Sequence, residues 1–203
     1  MGGRARLPGI ERGTRHARPA HEVARDGATH RDEAGARIAP CAVHVTGVAT
    51  DSHDNVVIAG YYESSIDLFG QTFVAHFAEP GRVTGAFVVK LDATGQLVWQ
   101  HGDLGFSEAN DVAVDPQDNV IVVGASTVNT GFFRAPVVAV FDPAGGASSD
   151  RYEAAAAGSE DGRAVSVVVD ACGSFYVGMD KLEQVAPPGP PIRAYVVKYS
   201  RVP

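Results

Sequence analysis

After Pro40 the apolar residues fall into short runs rich in Val, Ile, Phe and Tyr, and each run is bounded by Asp, Gly, Pro or Ser. Runs of this kind are typical of β-strands, and no stretch of this region keeps the helical period. We therefore predict an all-β body for residues 41–203. The expected strands lie at about 45–50, 55–60, 85–91, 96–101, 110–115, 119–124, 136–141, 148–153, 164–169, 174–178 and 193–199.

Two half-motifs alternate along this body. The first reads TGVATDSHDNVVIAG at 46–60, NDVAVDPQDNVIVVG at 110–124 and AVSVVVDACGSFYVG at 164–178. The second reads GAFVVKLDATGQLVW at 85–99, APVVAVFDPAGGASS at 135–149 and, truncated, RAYVVKYSRVP at 193–203. Four strands in a unit of about 50 residues is the arrangement of a β-propeller blade. We predict a partial propeller of about three antiparallel blades, at about 43–102, 103–158 and 159–203, the last of them incomplete.

An Asp followed three residues later by Gly or Asp recurs between strand runs. Such an Asp can accept nearby backbone N–H groups, and the later residue tolerates a positive φ, so each pair predicts a tight hairpin. The pairs are Asp51 with Asp54, Asp92 with Gly95, Asp115 with Asp118, Asp142 with Gly145, and Asp170 with Gly173. We expect the second residue of each pair to lie in the left-handed region.

The segments GVATDSHDNVVIAG at 47–60 and AFVVKLDATGQLVW at 86–99 resemble the two halves of the SBBP repeat, the bacterial seven-bladed β-propeller family. NHL repeats are the group most easily confused with it. The resemblance implies a propeller blade fold, frequent export or display at the cell surface, and no catalytic residue set. Residues 1–40, however, do not read as a secretory signal peptide.

Charge is distributed unevenly between the N-terminal segment and the body. Residues 1–40 hold eight Arg, no Lys and five acids, whereas the remainder holds nine basic residues and nineteen acids. An acidic body argues against nucleic-acid binding. The segment 1–40 has few large apolar side chains, so we expect a disordered tail. Alternatively, its arginines contact an acidic partner, or the true start of the protein lies elsewhere.

The sequence gives little support for a membrane span, a disulfide bridge or a cofactor site. The longest clean apolar run, at 135–141, is seven residues, so we predict no membrane span. Cys41 and Cys172 form no CxxC pair, and two unpaired thiols are favoured over one bridge. We predict no cofactor and no catalytic residue, since the sequence has neither an HExxH nor a GxSxG motif.

The acidic turns and the inserts are the candidate sites. Asp51, Asp54, Asp115 and Asp118 could hold Ca²⁺, but capping of their own hairpins is the favoured interpretation. Three irregular inserts, at 61–84, 125–134 and 179–192, follow the second strand of each unit and should gather on one face as a recognition surface. Its aromatic candidates are Tyr61, Tyr62, Phe73, Phe77, Phe132 and Phe133. The competing interpretation is that these rings only fold the inserts onto the blades.

These patterns predict a non-enzymatic module for binding or scaffolding, with a protein or glycan ligand. The alternative is a hydrolase or lyase with acidic residues at the mouth of a propeller channel. Fewer than three full blades cannot close a propeller, so apolar faces and strand edges must be covered in some other way. Two chains could form a ring of six blades, with residues 37–45 supplying an outer strand to another blade. The sequence slightly favours a fragment of a longer propeller, either natural or from gene prediction, over such a ring.

Overall fold

A computed structural model describes residues 25–26, 42–79, 82–128, 133–147, 152–153, 161–182 and 192–200. These ranges contain strands and turns but no helix, which confirms the all-β class. A membrane-spanning helix is accordingly not found in the described ranges. Of the expected tail, only Arg25–Asp26 falls within them, and it forms a short strand.

The described residues form fifteen strands. They are β1 Arg25–Asp26, β2 Val43–Thr50, β3 Val56–Glu63, β4 Ser65–Leu68, β5 Gln71–Val74, β6 Phe77–Glu79, β7 Arg82–Leu91, β8 Leu97–His101, β9 Glu108–Val114, β10 Val120–Val128, β11 Phe133–Phe141, β12 Tyr152–Glu153, β13 Asp161–Val169, β14 Phe175–Leu182 and β15 Ile192–Tyr199. Each predicted strand has a counterpart here. The strands that the sequence did not predict are β1, β4, β5 and β6.

Three open antiparallel sheets correspond to the three predicted units, and we call them blades 1, 2 and 3. Blade 1 has the order β2-β3-β7, and β7 pairs with β6 near its start and with β8 near its end. Blade 2 has the order β9-β10-β11-β12, and the described part of blade 3 has the order β13-β14-β15. We call the first strands, β2, β9 and β13, the inner strands. Stacked open blades of this kind confirm a partial β-propeller.

The structure bears on one alternative for the start of blade 1. In the two-chain ring, residues 37–45 would supply an outer strand to another blade, whereas Val43 to Val45 belong to β2. This strand pairs with β3 in the same blade, with Val43 opposite Tyr62. One of its two hydrogen-bonding edges is therefore already used within its own sheet. Residues 37–41 lie outside the described part of the chain.

Each inner strand contains a β-bulge at an equivalent place. Thr46, Asn110 and Val165 are the residues that the ladder skips. The bulge brings a backbone carbonyl of the inner strand against the glycine that ends the repeat motif, so a Cβ at Gly60 or Gly124 would collide with it. The sharp bend of a bulge therefore explains why the first two of these motifs end on glycine.

The blades pack face to face. We call the face of each sheet that is turned toward the following blade its front face, and the opposite face its back face. The front face of blade 1 and the back face of blade 2 share one apolar cluster, which includes Val88, Trp99, Phe106 and Val112. The front face of blade 2 and the back face of blade 3 share a second cluster. This second cluster includes Ile121, Val123, Val138, Val167 and Val177.

A hairpin within the insert 61–84 covers much of the back face of blade 1. We call β4 and β5 the cap hairpin. Its Ile66 and Leu68 are fully buried in a third cluster with Tyr62, Phe87 and Val89 from β3 and β7. The insert is therefore a structural lid on the first blade, and it removes from solvent an apolar face that the open stack would otherwise expose.

Removing a buried side chain of the cap hairpin should destabilise the protein. We expect Leu68→Ala to lower the free energy of unfolding by about 2–4 kcal/mol, because it leaves a cavity under the hairpin. Val74→Ala on the neighbouring strand is the control, since Val74 is 57% exposed, and it should change stability by less than about 0.5 kcal/mol. Urea unfolding measures both. Equal losses would show that the hairpin does not pack on blade 1.

Candidate binding groove at the inner hairpins

The five predicted Asp hairpins share one hydrogen-bonding pattern. In each, the N–H of the Asp donates to the carbonyl four residues later, and the N–H three residues later donates back to the Asp carbonyl. The Asp Oδ1 accepts the N–H groups two and four residues later. The left-handed residues are Asp54 at φ 61°, Gly95 at 85°, Asp118 at 62°, Gly145 at 89° and Gly173 at 82°. These are the five positions for which the sequence predicts a positive φ.

Three of these hairpins join the inner strand of a blade to the next strand, and they meet at one open groove. The groove has a volume of about 340 Å³ and takes its walls from all three blades. Its lining residues are Thr50, Asp51, Ser52, Val114, Asp115, Pro116, Asp118, Val169, Asp170 and Ala171. The first two hairpins are joined directly, because the N–H and hydroxyl of Ser52 donate to the two carboxylate oxygens of Asp118 at 2.9 and 2.7 Å.

A buried ion pair lies beneath the first hairpin. Lys90 Nζ is 2.8 Å from Asp51 Oδ2, and the two side chains are only 3% and 1% exposed. The same ammonium donates to the carbonyl of Pro143 at 3.4 Å, in the outer hairpin of blade 2. Burial raises the pKa of Asp51, but the hydrogen bonds from Lys90 and Asn55 and from the His53 N–H outweigh it, and the pKa lies well below its ordinary value. Lys90 on β7 thus links the first inner hairpin to the outer hairpin of blade 2, and the pair keeps Asp51 ionised.

The other carboxylates of the groove also accept hydrogen bonds. The hydrogen bonds from Ser52 lower the pKa of Asp118. Burial raises the pKa of Asp170, but the N–H groups of Ser174 and Cys172 bring it below the ordinary value. Asp115 accepts the Asn119 amide with both of its oxygens at 2.8 Å. Because a general acid needs a pKa raised toward neutrality, Asp118 and Asp170 are suited to fixed negative charge.

The Ca²⁺ candidates divide into two groups. Donor atoms of Asp51, His53 and Asp118 lie within 4.8 Å of one another, whereas Asp54 and Asp115 are not part of this cluster. His53 Nδ1 is 3.1 Å from Asp118 Oδ2, and the Lys90 ammonium already provides the positive charge beside Asp51. Donor groups of the protein therefore occupy the place beside these carboxylates that a bound cation would have.

The aromatic candidates of the inserts have mixed positions. Tyr62 is fully buried and donates its hydroxyl to the carbonyl of Gly102 at 2.7 Å. Burial and the charge of Asp103 raise the pKa of Tyr62 to about 12. Phe73 packs against the cap cluster, and Tyr61 is half-buried and stacks on His44 with ring centroids 4.5 Å apart.

These positions favour a packing role for Tyr62 and Phe73. Phe132 lies outside the described residues, as do the side chains of Phe77 and Phe133. Cys172 is an exposed free thiol, while Cys41 lies outside the described residues. The groove was not among the features predicted from the sequence, although one signal pointed to it. The Asp of each first half-motif follows an inner strand, so equivalent hairpins should lie at the same end of the stack.

No family model matches the chain. Over 95 residues, or 45% of this chain, the sequence is 32% identical to an uncharacterized WD repeat-containing protein, L264, from Acanthamoeba polyphaga mimivirus, and the chain covers 6% of that relative. A crystal structure of a protein of unknown function from Bacteroides caccae is similar at a TM-score of 0.34 and 11% identity, over 75% of this chain and 61% of that one. The WD-repeat match hints at a repeat protein of the propeller type and does not single out SBBP or NHL repeats.

Replacing Lys90 should destabilise the fold strongly. We expect Lys90→Met to lower the free energy of unfolding by about 3–5 kcal/mol, because it leaves the Asp51 carboxylate buried without its cation. Lys198→Met is the control, since Lys198 occupies the equivalent position in blade 3 but is exposed, and it should change stability by less than about 0.5 kcal/mol. Urea unfolding at neutral pH compares them.

The effect of Lys90→Met should also depend on pH. Because the folded pKa of Asp51 lies below its ordinary value of 3.8, its contribution in the native protein is present above that value and is lost as pH falls through the folded pKa. Without Lys90, burial raises the pKa of Asp51, so acid neutralises the unpaired carboxylate. The stability gap between the two proteins should therefore narrow as pH falls from 7 to about 4. A constant gap would contradict this electrostatic explanation.

Proposed function

We propose that the protein is a non-enzymatic binding or scaffold module of the β-propeller type, and that the groove at its inner hairpins binds a positively charged segment of a protein partner. The observation that carries this proposal is the meeting of three inner hairpins, one from each blade, at a single groove. Loops held on a rigid scaffold are the usual place for recognition.

The groove is preorganised for such a ligand. The backbone N–H groups of each hairpin fix its Asp carboxylate, and Ser52 ties the first hairpin to Asp118. Little side-chain freedom is therefore lost on binding, which reduces the entropic cost. The volume of about 340 Å³ suits one or two side chains.

Charge favours a basic ligand. The lowered pKa values of Asp118 and Asp170 keep these groups ionised at neutral pH, whereas Lys90 balances the charge of the buried Asp51. Apolar atoms of Val114, Pro116 and Val169 also line the groove, and they can contact the methylene stem of a Lys or Arg side chain. This combination supports a protein ligand over a glycan.

The same pKa values do not favour a hydrolase or lyase. Catalysis by acidic residues at a channel mouth needs one carboxyl group that stays protonated near the working pH. Asp51, Asp118 and Asp170 instead accept hydrogen bonds that stabilise their charged form.

Self-association is the second part of the proposed scaffold role. Val168 is 64% exposed and Val196 is 76% exposed on the front face of blade 3. Large exposed apolar residues on one sheet face favour contact with another protein surface.

The groove can be tested with fluorescein-labelled hexalysine, followed by fluorescence anisotropy at several salt concentrations. We expect saturable binding that weakens as salt rises. Asp118→Asn should weaken it about fivefold, because it removes one charge while Asn still tolerates the positive φ. Asp103→Asn, a neutralised carboxylate in the loop between β8 and β9, is the matched control and should leave binding unchanged. Equal weakening by both variants, or equal binding of hexaglutamate, would overturn the proposal.

A further inference from the structure

The segment that precedes β1 carries the excess positive charge of the first 40 residues. Residues 1–24 contain five Arg and two acids, which gives a net charge of +3, whereas residues 25–40 contain three Arg and three acids. Residues 1–24 lie outside the described part of the chain. A basic segment and a groove lined by carboxylates are therefore parts of one molecule.

The lining of the groove has the opposite charge. Four of its ten lining residues are Asp, and none is Lys or Arg. Lys90 balances Asp51 from beneath the groove, and Lys198 lies near Asp170. Asp118 instead accepts hydrogen bonds from neutral groups of the first hairpin, so the lining keeps a negative charge.

The position of β1 brings the basic segment to the inner side of blade 1. In the sheet that β1 forms with the cap hairpin, the strand order is β1-β4-β5. β5 lies over the outer strand β8, because Gln100 Nε2 donates to Gln71 Oε1 at 3.3 Å and a Cβ at Gly102 would collide with the Phe73 ring. Since β4 lies between them, β1 is on the opposite side, nearer to the inner strand β2.

The register of β1 gives the direction in which the segment leaves. β4 begins beside the start of β7, where the Ser64 N–H donates to the carbonyl of Val83. It packs in a cluster that extends along β7 to Leu91, next to the inner-hairpin end of blade 1. β1 is antiparallel to β4, and Arg25 pairs with Asp67. The chain before Arg25 therefore leaves β1 toward the inner-hairpin end.

The tether between the segment and blade 1 is short but sufficient. Arg18 lies seven residues before Arg25. An extended chain advances about 3.3 Å per residue, so this tether spans up to about 23 Å, whereas the whole of β3 is about 26 Å long. A ligand on a short tether acts at an effective concentration on the order of millimolar. A contact that is weak between separate molecules can therefore form within one chain.

Three of the arginines recur at an interval that suits the three hairpins. Arg12, Arg15 and Arg18 follow one another at steps of three residues. In a polyproline II chain, residues three apart lie on one side and about 9 Å from each other. The groove takes hairpins from three stacked blades, and packed sheets lie about 10 Å apart. An extended segment laid across the groove can therefore present one guanidinium to each hairpin.

We propose that residues 1–24 bind the groove of their own chain and so compete with the basic segment of a partner. This inference rests on the proposed function of the groove and adds a ligand from the same molecule. A carboxylate has about four acceptor sites, so Asp118 can accept N–H groups of an arginine besides its bonds from Ser52. The apparent affinity for a partner falls with the fraction of molecules whose groove is open.

Spin-label NMR tests the contact. Cys172 is an exposed thiol beside the groove, and in a Cys41→Ser chain it can carry a nitroxide. We expect the nitroxide to broaden the amide signals of residues 1–24, most strongly at 12–18, and added salt or hexalysine should remove the broadening. A nitroxide at Val83→Cys, with both native Cys replaced by Ser, is the control. Val83 is 41% exposed and lies at the other end of β7, so these signals should stay sharp.

A mixing experiment separates contact within a chain from contact between chains. Isotope-labelled chains without a nitroxide are mixed with nitroxide-labelled chains without isotope. We expect this mixture to show sharp signals for residues 1–24 at the concentration that gives broadening in the doubly labelled chain. Broadening of equal strength in the mixture would show that the segment binds a second copy, and it would overturn binding within one chain.

Charge substitutions test the competition. Arg15→Gln with Arg18→Gln should tighten the binding of fluorescein-labelled hexalysine about threefold, because the segment then competes less well. Arg31→Gln with Arg37→Gln is the matched control, since it removes the same charge from the other side of β1 and should leave binding unchanged. Circular dichroism checks that both double variants fold. Equal tightening by both would show an effect of overall charge and would overturn the competition.

The outcomes distinguish this inference from the proposed function. If the Cys172 nitroxide leaves the signals of residues 1–24 sharp, the segment does not bind the groove and the inference is wrong. Hexalysine binding that weakens in Asp118→Asn supports the groove in that case. Hexalysine that binds neither the native chain nor the Arg15→Gln, Arg18→Gln variant overturns the groove, and the inference is then overturned with it.

Discussion

A sheet with two apolar faces can be stable only when both faces are covered, and this constraint shapes the whole molecule. Blade 2 meets it fully, because blade 1 covers its back face and blade 3 covers its front face. Blade 1 meets it in a different way, since the cap hairpin covers the β3 and β7 part of its back face. The architecture is therefore a stack whose contacts between blades repeat and whose first blade is covered in part by a hairpin instead of a blade.

The Asp hairpin serves both the fold and the candidate site. Its carboxylate satisfies the backbone N–H groups of a tight turn, so the turn is rigid and also negatively charged. Lys90 offsets one of these charges where burial is deepest and, through the carbonyl of Pro143, links that turn to the next blade. The groove thus arises from the same interactions that hold neighbouring blades in register, and its charge cannot be altered at Asp51 without a cost to stability.

Local sequence predicted the blade strands and the hairpins well, because alternating apolar runs and Asp-x-x-Gly or Asp-x-x-Asp turns are decided over a few residues. The cap hairpin escaped prediction for a local reason as well. Its two-residue turn is Phe69-Gly70, with φ values of 48° and 83°, where a hairpin of this type normally has Asn or Asp first. Phe69 packs against the cap cluster, and this burial compensates for its unfavourable backbone conformation. The groove and the burial of Tyr62 depend on how the blades stack. The alternation of apolar and polar residues in a single strand does not specify this stacking.

The bulge residues of the three inner strands differ in the contact that they can make with a following blade. Inside, Thr46 and Asn110 reach a backbone carbonyl of the next blade, and a hydrogen bond of this kind tolerates little displacement. Val165 at the same place can make only apolar contact, which is less directional and survives small changes in the angle between blades. The change from Asn110 to Val165 therefore exchanges a directional polar contact for apolar surface at the bulge of blade 3.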